Sequence, residues 1–339
     1  MFDDRRPLTP AVDAIPPVVS WLNGLPGAAK FRRWMLPLYP LAVEHLSDRL
    51  ATLHAEHPID LVISTSSAAI KGLRSPRGVP HVCMCFAPAR YLWSREEEYA
   101  QGSVLRRWGL RLLGPHLREW DRRTSDNVSQ FIAISRHVER EIARCYGRDS
   151  ELVFPPVREA YFTVDPAVPR EDFWLVVSAL EPYKRTHVAM EAARRANARL
   201  IVAGGGSQLE ALRGAATRGQ QVLGRVSDET LRSLYRRARM LIFPQVEDFG
   251  IVALEAQACG CPVVARGEGG ALDTVLDGKT GVLCTPEEDP AREVEALIAG
   301  AARCPHDASA CRSHAEKFGE EAFRTRLLEV LGRVTPSLA

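Results

Sequence analysis

Two glutamates separated by seven residues, Glu247 and Glu255, stand where this sequence is best arranged to bind a ligand. The apolar run Met240–Phe243 predicts a buried strand, and the periodicity after Phe249 and Gly250 predicts a helix. Strand, loop and helix in this order put free backbone N–H groups, and the positive end of a helix dipole, at the carboxyl edge of a sheet. Such a place suits a phosphate group.

The two glutamates need a different explanation, because carboxylates would repel a phosphate. They are expected to accept hydrogen bonds from the hydroxyl groups of a sugar. Acidic residues at a helix start also complement the helix dipole, which explains Glu247 and Asp248. The dipole does not explain Glu255, which lies about one turn into an apolar-rich helix.

The segments around this stretch alternate between strand and helix, which predicts parallel sheets with helices on both faces. In the second half, strands are predicted at 174–178, 199–203, 221–223, 240–243, 262–265 and 281–283, and helices begin near Thr186, Ser207, Ser227, Gly250 and Gly270. In the first half, strands are predicted at 59–64, 81–86, 131–135 and 152–154. The fold class is therefore α/β, with two Rossmann-like domains.

The length of 339 residues is sufficient for two such domains, each with its own core. A proline-rich join at 154–169 is interpreted as the linker between them. The predicted domains are residues 1–160 and 161–315, followed by an amphipathic C-terminal helix at 316–335.

Composition excludes several classes of function. A hydrophobic content of 46% and a charged content of 25% are typical of a soluble globular protein, and a net charge of +2 gives no support for nucleic-acid binding. Without a signal peptide or a bilayer-spanning stretch, the protein is expected in the cytoplasm, with the inner face of the cell membrane as an alternative site. The eight cysteines lack zinc or redox spacing and are interpreted as small buried hydrophobic residues.

The Glu-x7-Glu spacing with Phe249-Gly250 inside it, followed by GGALDTVLDGKTGVL at 269–283, resembles the retaining glycosyltransferases of the GT-B group, of the group 1 or family 4 type. The closest likeness, over residues 60–334, is to bacterial mannosyltransferases of polysaccharide assembly. The resemblance implies two Rossmann-like domains facing across a cleft, with the last helix crossing back to the first domain. It also implies a hexosyltransferase that moves mannose from GDP-mannose, or another hexose from its nucleotide sugar, to a glycan or lipid-linked acceptor.

The resemblance assigns roles to individual residues. Lys184 stabilises the departing diphosphate and Glu247 binds hydroxyls of the donor sugar, so these two are the catalytic residues. Glu255 takes the ribose hydroxyls, and Val226 contacts the base through its backbone. The donor-binding residues are Arg185, Gly205, Val226, Phe249, Gly250, Ile251, Val252 and Glu255. The glycine turn that contains Gly205 has a second interpretation, as a tight turn without a ligand.

No Asp-x-Asp pair marks a metal-bound diphosphate, and side-chain cations with helix dipoles can neutralise that charge. A metal-independent transferase without a cofactor is therefore expected. Retention of configuration, by front-face displacement with a diphosphate oxygen taking the acceptor proton, is implied by the resemblance alone.

Three departures from the family pattern lie outside the glutamate stretch. Many relatives carry an arginine where this chain has Ala179, and relatives have His-Thr-Pro where it has Phe86-Ala87-Pro88. Phe86 and Arg90 are the acceptor-side residues, and phenylalanine cannot replace the hydrogen bonds of that histidine. The first domain is also expected to lack its N-terminal strand.

These departures leave two hypotheses open. The first is an active retaining glycosyltransferase, and the second is a catalytically impaired nucleotide-sugar-binding partner or scaffold in glycan assembly. The basic and aromatic run of Lys30, Arg32, Arg33, Trp34 and Tyr39 also has two interpretations. It is either a surface that contacts anionic lipid, giving peripheral membrane contact, or a helix packed on the sheet with a solvated basic face.

Overall fold

The computed structural model describes residues 14–15, 17–28, 34–66, 68–94 and 104–335, without the side chains of residues 104–107 and 110. Lys30, Arg32 and Arg33 lie outside the described residues. The chain divides into two compact units, of which unit 1 contains Met1–Val153 with Leu327–Ala339 and unit 2 contains Phe154–Arg326. The first boundary therefore falls at the start of the proline-rich join, which belongs to unit 2, rather than after residue 160.

Unit 1 is built on a parallel sheet whose described strands run in the order β1-β2-β3-β4. Its register places Ile63 opposite Val82 and Cys83 opposite Phe131. The strands are β1 (Val62–Ser66), β2 (His81–Cys85), β3 (Gln130–Ala133) and β4 (Ser150–Leu152). All four strands predicted for the first half are confirmed, with small shifts at their ends.

The α-helices that the structure describes within unit 1 are α1 (Tyr39–Glu56), α2 (Arg90–Trp93), α3 (Val104–Arg123) and α4 (Arg136–Tyr146). Helix α4 shows how the sequence sets such bounds. It begins where the Ser135 hydroxyl accepts a hydrogen bond from the Val138 N–H at 3.0 Å. It ends at Gly147, whose φ of 65° is left-handed.

Unit 2 is built on a six-stranded parallel sheet in the order β10-β9-β8-β5-β6-β7. The strands are β5 (Phe173–Val177), β6 (Arg199–Ala203), β7 (Gln220–Gly224), β8 (Met240–Phe243), β9 (Val263–Arg266) and β10 (Gly281–Cys284). The chain extends the sheet from β5 through β6 and β7 on one side, then returns to β8 on the other. The loops after β5 and β8 therefore flank a topological switch point, where ligands bind in open α/β sheets.

The helices of unit 2 cover both faces of this sheet. They are α5 (Thr186–Arg195), α6 (Leu209–Ala215), α7 (Asp228–Arg237), α8 (Ile251–Ala258), α9 (Ala271–Thr274), α10 (Pro290–Arg303) and α11 (Ala308–Ala315). Alternate strand residues enter two buried clusters, with Val176 and Ile242 in one and Leu175 and Leu241 in the other. Strands buried on both faces explain the continuous apolar runs in the sequence.

The last helix, α12 (Glu320–Val334), contains residues of both units. The predicted helix at 316–335 is interrupted, because a 3-10 turn at Glu316–Phe318 ends at Gly319, whose backbone is extended. A β-carbon at Gly319 would lie 2.6 Å from a carboxylate oxygen of Glu159. Among the described residues, no helix is both long and apolar enough to cross a membrane.

Candidate functional site

The loops after β5 and β8 meet through the two residues that were predicted to be catalytic. Lys184 ends a 3-10 turn at Pro182–Lys184, and its ammonium group forms an ion pair with the Glu247 carboxylate. Lys184 is only 8% exposed, and its Nζ lies 5.0 Å from the centre of the Tyr183 ring. The Glu247 side chain is 23% exposed, so the pair lies at the edge of unit 2 in partial contact with solvent.

The neighbouring Arg185 forms an ion pair with a different carboxylate, that of Glu293. Its backbone φ of 56° is left-handed, and its guanidinium pairs with Glu293 of α10. Glu293 is 3% exposed and also lies 3.2 Å from Arg266. The predicted contribution of Arg185 to donor binding stays a prediction, since its side chain belongs to this separate ion-pair network.

The glycine turn after β6 supports the loop that carries Lys184. A β-carbon at Gly204 would collide with the Ser178 carbonyl, and one at Gly206 with the Leu180 carbonyl. The Leu180 N–H donates to the Gly205 carbonyl at 3.0 Å, so the two loops are joined through their backbones. Close packing thus accounts for this turn by itself, and a donor contact at Gly205 stays a prediction.

The residue predicted to contact the base, Val226, follows β7 and begins the loop into α7. Its side chain is half-buried and packs against the apolar cluster that contains Leu234 and Tyr235. The structure therefore anchors the Val226 side chain in the core. A role for its backbone in base recognition stays a prediction.

The loop that carries Glu247 rests on the glycine pair of the downstream motif. The Gly270 N–H donates to the Glu247 carbonyl at 2.8 Å. A β-carbon at Gly270 would collide with the Phe249 backbone, and one at Gly269 would crowd the Glu247 carbonyl. The glycines of this motif therefore let two loops approach closely enough to fix the backbone of the Glu247 loop.

Helix α8 begins directly after this loop. Gly250 precedes it with a φ of 92°, a conformation that favours glycine. The first amides of a helix have no carbonyl partner within that helix, so those of Ile251 and Val252 are available to an anion. The Phe249 ring is 5% exposed and stacks on Phe154 at 5.9 Å between ring centres. The Phe249 side chain is therefore a structural anchor for the loop.

Glu255 lies one turn into α8 and is half-buried. Its Oε2 accepts a hydrogen bond from the Tyr235 hydroxyl at 3.1 Å. Burial raises the pKa of the Glu255 carboxyl, and the hydrogen bond from Tyr235 and the charge of Arg158 oppose that rise. The Tyr235 hydroxyl occupies one acceptor position of this carboxylate, which retains capacity for further hydroxyl groups.

Two neighbours of Glu255 were missed by sequence reasoning. Tyr235 is completely buried near the end of α7, in a helix whose apolar positions predict core packing and no polar role. Arg158 lies in the proline-rich join and forms an ion pair of 2.9 Å with Asp228 of α7. No spacing in the sequence links either residue to Glu255.

The predicted acceptor-side residues belong to unit 1. Phe86 follows β2, is 37% exposed, and its N–H donates to the Ser66 carbonyl at 2.7 Å. Arg90 is half-buried and begins α2. Both residues thus lie just beyond the carboxyl end of one strand, where parallel sheets place their ligand-binding loops.

The eight cysteines are free and buried, as predicted. Burial raises their pKa values, for example to about 11 for Cys83, so the thiols stay protonated and unreactive. Over the described ranges, no group of three His, Cys, Asp or Glu side chains is placed to hold a metal ion.

These features define an α/β protein of the GT-B type with a candidate site at the switch point of its second sheet. The family model of glycosyl transferases group 1 matches residues 157–322, so this segment of the chain is similar to that family. The matched segment covers nearly all of unit 2 and includes each predicted catalytic and donor-binding residue.

Curated relatives extend this likeness. D-inositol 3-phosphate glycosyltransferase of Rhodococcus opacus (strain B4) is 30% identical over 236 residues, which are 62% of this chain and 53% of the relative. The enzyme of that name from Mycobacterium avium (strain 104) is 33% identical over 57% of this chain and 48% of its own length. The chain spans about half the length of these two relatives.

Solved structures share the fold. Sucrose-phosphate synthase from Thermosynechococcus elongatus has a TM-score of 0.69 and 18% identity, over 89% of this chain and 79% of its own. Anabaena HepE in complex with UDP-glucose has a TM-score of 0.61 and 21% identity, over 88% of this chain and 84% of its own. They confirm the α/β fold with two parallel sheets. The narrower likeness to mannosyltransferases stays a prediction.

Proposed function

We propose that this protein is a metal-independent retaining glycosyltransferase that moves a hexose from a nucleotide sugar to an acceptor hydroxyl. The observation that carries the proposal is the Lys184–Glu247 ion pair at the switch point of the second sheet. A cation and a carboxylate held side by side suit a nucleotide sugar, which brings an anionic diphosphate and a neutral sugar as neighbours.

The two members of this ion pair would bind different parts of the donor. The diphosphate accepts hydrogen bonds from Lys184 and from the first amides of α8, and the sugar hydroxyls donate to Glu247. The ribose hydroxyls donate to Glu255, which the Tyr235 hydroxyl orients from the buried side. Each donor part then meets groups of matching charge and hydrogen-bonding character.

The reaction breaks the bond between the anomeric carbon and the diphosphate oxygen, and forms one from that carbon to the acceptor oxygen. The acceptor proton passes to the departing diphosphate. Negative charge builds on the diphosphate in the transition state, and Lys184 would supply a fixed cation that stabilises it. The front-face course, with retention of configuration, rests on the family resemblance.

The donor and acceptor are proposed more narrowly on likeness. The resemblance favours GDP-mannose and a glycan or lipid-linked acceptor, whereas HepE binds UDP-glucose and the curated relatives are named for D-inositol 3-phosphate. Phe86 at the acceptor side keeps the impaired donor-binding protein as the alternative function. Both functions require donor binding, and only the first requires turnover.

Peripheral membrane contact has some support in unit 1. Trp34 is 46% exposed, and on α3 Trp108 and Leu112 are 66% and 75% exposed beside the exposed Arg111. Exposed aromatic and aliphatic side chains with arginine suit an anionic bilayer surface. Co-flotation with vesicles of phosphatidylcholine and phosphatidylglycerol tests this contact. Co-flotation should be lost in the Trp108→Ser/Leu112→Ser variant. Flotation of that variant equal to that of the wild type would contradict the membrane contact.

The function is tested by calorimetric titration with GDP, UDP and ADP, followed by assays with the matching sugar nucleotides. The acceptors in these assays are D-inositol 3-phosphate and a polyprenyl-diphosphate glycan. EDTA is present in every assay, because the proposed reaction needs no metal ion. Base-selective binding with sugar transfer is the expected result. Binding without transfer or hydrolysis would favour the impaired protein, and no binding to any nucleotide would contradict both functions.

A further inference from the structure

A buried polar cluster in unit 1 has no part in the donor site. At its centre is Asp121 of α3, which is 1% exposed and lies 3.1 Å from the ammonium group of Lys71, also 1% exposed. Lys71 also donates to the Asp121 main-chain carbonyl, and lies 3.4 Å from the Thr124 hydroxyl. Taking two charges out of water costs several kcal/mol per ion in proteins, so such a pair is weak evidence for a stabilising role.

The second carboxylate oxygen of Asp121 connects this cluster to α2. Asp121 Oδ2 accepts a hydrogen bond from Trp93 Nε1 at 2.8 Å and another from the Tyr146 hydroxyl at 3.0 Å. The Trp93 ring packs edge-on against Tyr146 at 6.2 Å, and Tyr146 stacks on Phe131 of β3 at 5.8 Å. Trp93 is thus joined to the central sheet of unit 1 through one buried carboxylate.

Helix α2 needs such an external anchor. It has four residues, and isolated helices shorter than about 12 residues are marginal in water. Ala89 and Leu92 are buried, which fixes one side of the segment. The Trp93 hydrogen bond also fixes the orientation of α2, because a charge-assisted hydrogen bond depends on angle and distance more strongly than apolar contact does.

We propose that Asp121 is a positioning residue, which holds α2 through Trp93 so that Phe86 and Arg90 keep their places for the acceptor. The ion pair with Lys71 holds the carboxylate in turn, so that it stays in place without the Tyr146 hydroxyl. The inference rests on the proposed function, because it deepens the acceptor-side role of this segment. It assigns no contact between Asp121 and either substrate.

Trp93→Phe and Tyr146→Phe form a matched pair of variants for the test. Each removes one donor to the same Asp121 oxygen and keeps an aromatic ring, but only Trp93 belongs to α2. Hydrogen–deuterium exchange of a peptide covering residues 86–94 should become about tenfold faster in Trp93→Phe. It should stay unchanged in Tyr146→Phe, even if both variants unfold at the same lower urea concentration.

Kinetics supply the second measurement. With whichever acceptor probe the wild type glycosylates, Trp93→Phe should raise the acceptor KM about tenfold and leave the rate of donor hydrolysis unchanged. Tyr146→Phe should change neither value. Equal effects of the two variants on exchange, or no effect of Trp93→Phe, would overturn the positioning role. Residues 86–94 could exchange faster in Trp93→Phe but not in Tyr146→Phe, while the wild-type protein transfers no sugar. That combination would support the positioning role and contradict the transferase function.

Discussion

The ammonium group of Lys184 and the carboxylate of Glu247 form an ion pair that joins the loops after β5 and β8. These two strands are neighbours in the sheet, although 63 positions separate the two residues in the sequence. The sheet order thus brings together two groups that were assigned separate roles in a donor site.

Glu255→Gln should weaken nucleotide binding by about 1–3 kcal/mol, because the ribose hydroxyls lose a charged acceptor. Tyr235→Phe should cost less, about 0.5–1.5 kcal/mol, since it removes only the hydroxyl that orients the carboxylate. Calorimetric titration with the nucleotide that binds the wild type measures both values. Unchanged affinity in Glu255→Gln would remove the ribose role.

The pH dependence of stability gives an independent test of Glu255. Burial raises the pKa of its carboxyl, so the folded state holds this proton more tightly than the unfolded chain does. The free energy of unfolding should therefore decrease as the pH rises through this raised pKa, above the ordinary value of about 4.3. Glu255→Gln should be more stable than the wild type at pH 7.5, and its free energy of unfolding should not show this decrease as the pH rises.

Urea unfolding of the wild type and Glu255→Gln at several pH values measures that difference. The matched control is Glu229→Gln, which removes an exposed carboxylate at the start of α7. A stabilisation at pH 7.5 that is equal in both variants would show that the effect reflects net charge alone.

Gly270→Ala should distort the Glu247 loop, because the added β-carbon would collide with the Phe249 backbone. Overpacking of this kind costs about 1–3 kcal/mol, and donor affinity should fall with it. Gly214→Ala in α6 is the control, since no atom lies within 4 Å of its added β-carbon. That control should be stabilised by up to about 1 kcal/mol. Normal donor affinity in Gly270→Ala would contradict the supporting role of the glycine pair.

The Lys184–Glu247 pair should also be detectable as an energetic coupling. Lys184→Met or Glu247→Gln alone leaves a partly buried charge without its partner, at a cost of about 1–3 kcal/mol in unfolding free energy. The double variant should cost less than the sum, with a coupling of about 0.5–3 kcal/mol. Additive effects in denaturant titrations would mean that the two groups do not interact in solution.

Much of this fold follows from sequence patterns. Most strands of the two sheets contain apolar runs, with β4 (Ser-Glu-Leu) as an exception, and each predicted strand lies within a few residues of an observed one. The interruption at Gly319 was not predicted, because this turn has partners far away in the sequence: the Phe318 carbonyl accepts a hydrogen bond from the Val157 N–H at 2.8 Å. A periodic apolar pattern carries no information about such a neighbour.

The site is predicted less completely for the same reason. Spacing near Glu247 and Glu255 indicates the loop and the helix start, which are local features. The partners of these groups come from other elements, such as Tyr235 on α7, and 108 positions separate Arg185 from its partner Glu293. Only the folded topology brings such partners together.

The central claim is that Lys184 stabilises the diphosphate as it leaves, and turnover of the Lys184→Ala variant tests it most directly. With saturating sugar nucleotide, this variant should transfer or hydrolyse the sugar at least about a hundredfold more slowly than the wild type. Lys279→Ala, at an exposed turn after α9, is the control and should keep the wild-type rate. Wild-type turnover in Lys184→Ala would contradict the account and remove this lysine from the mechanism.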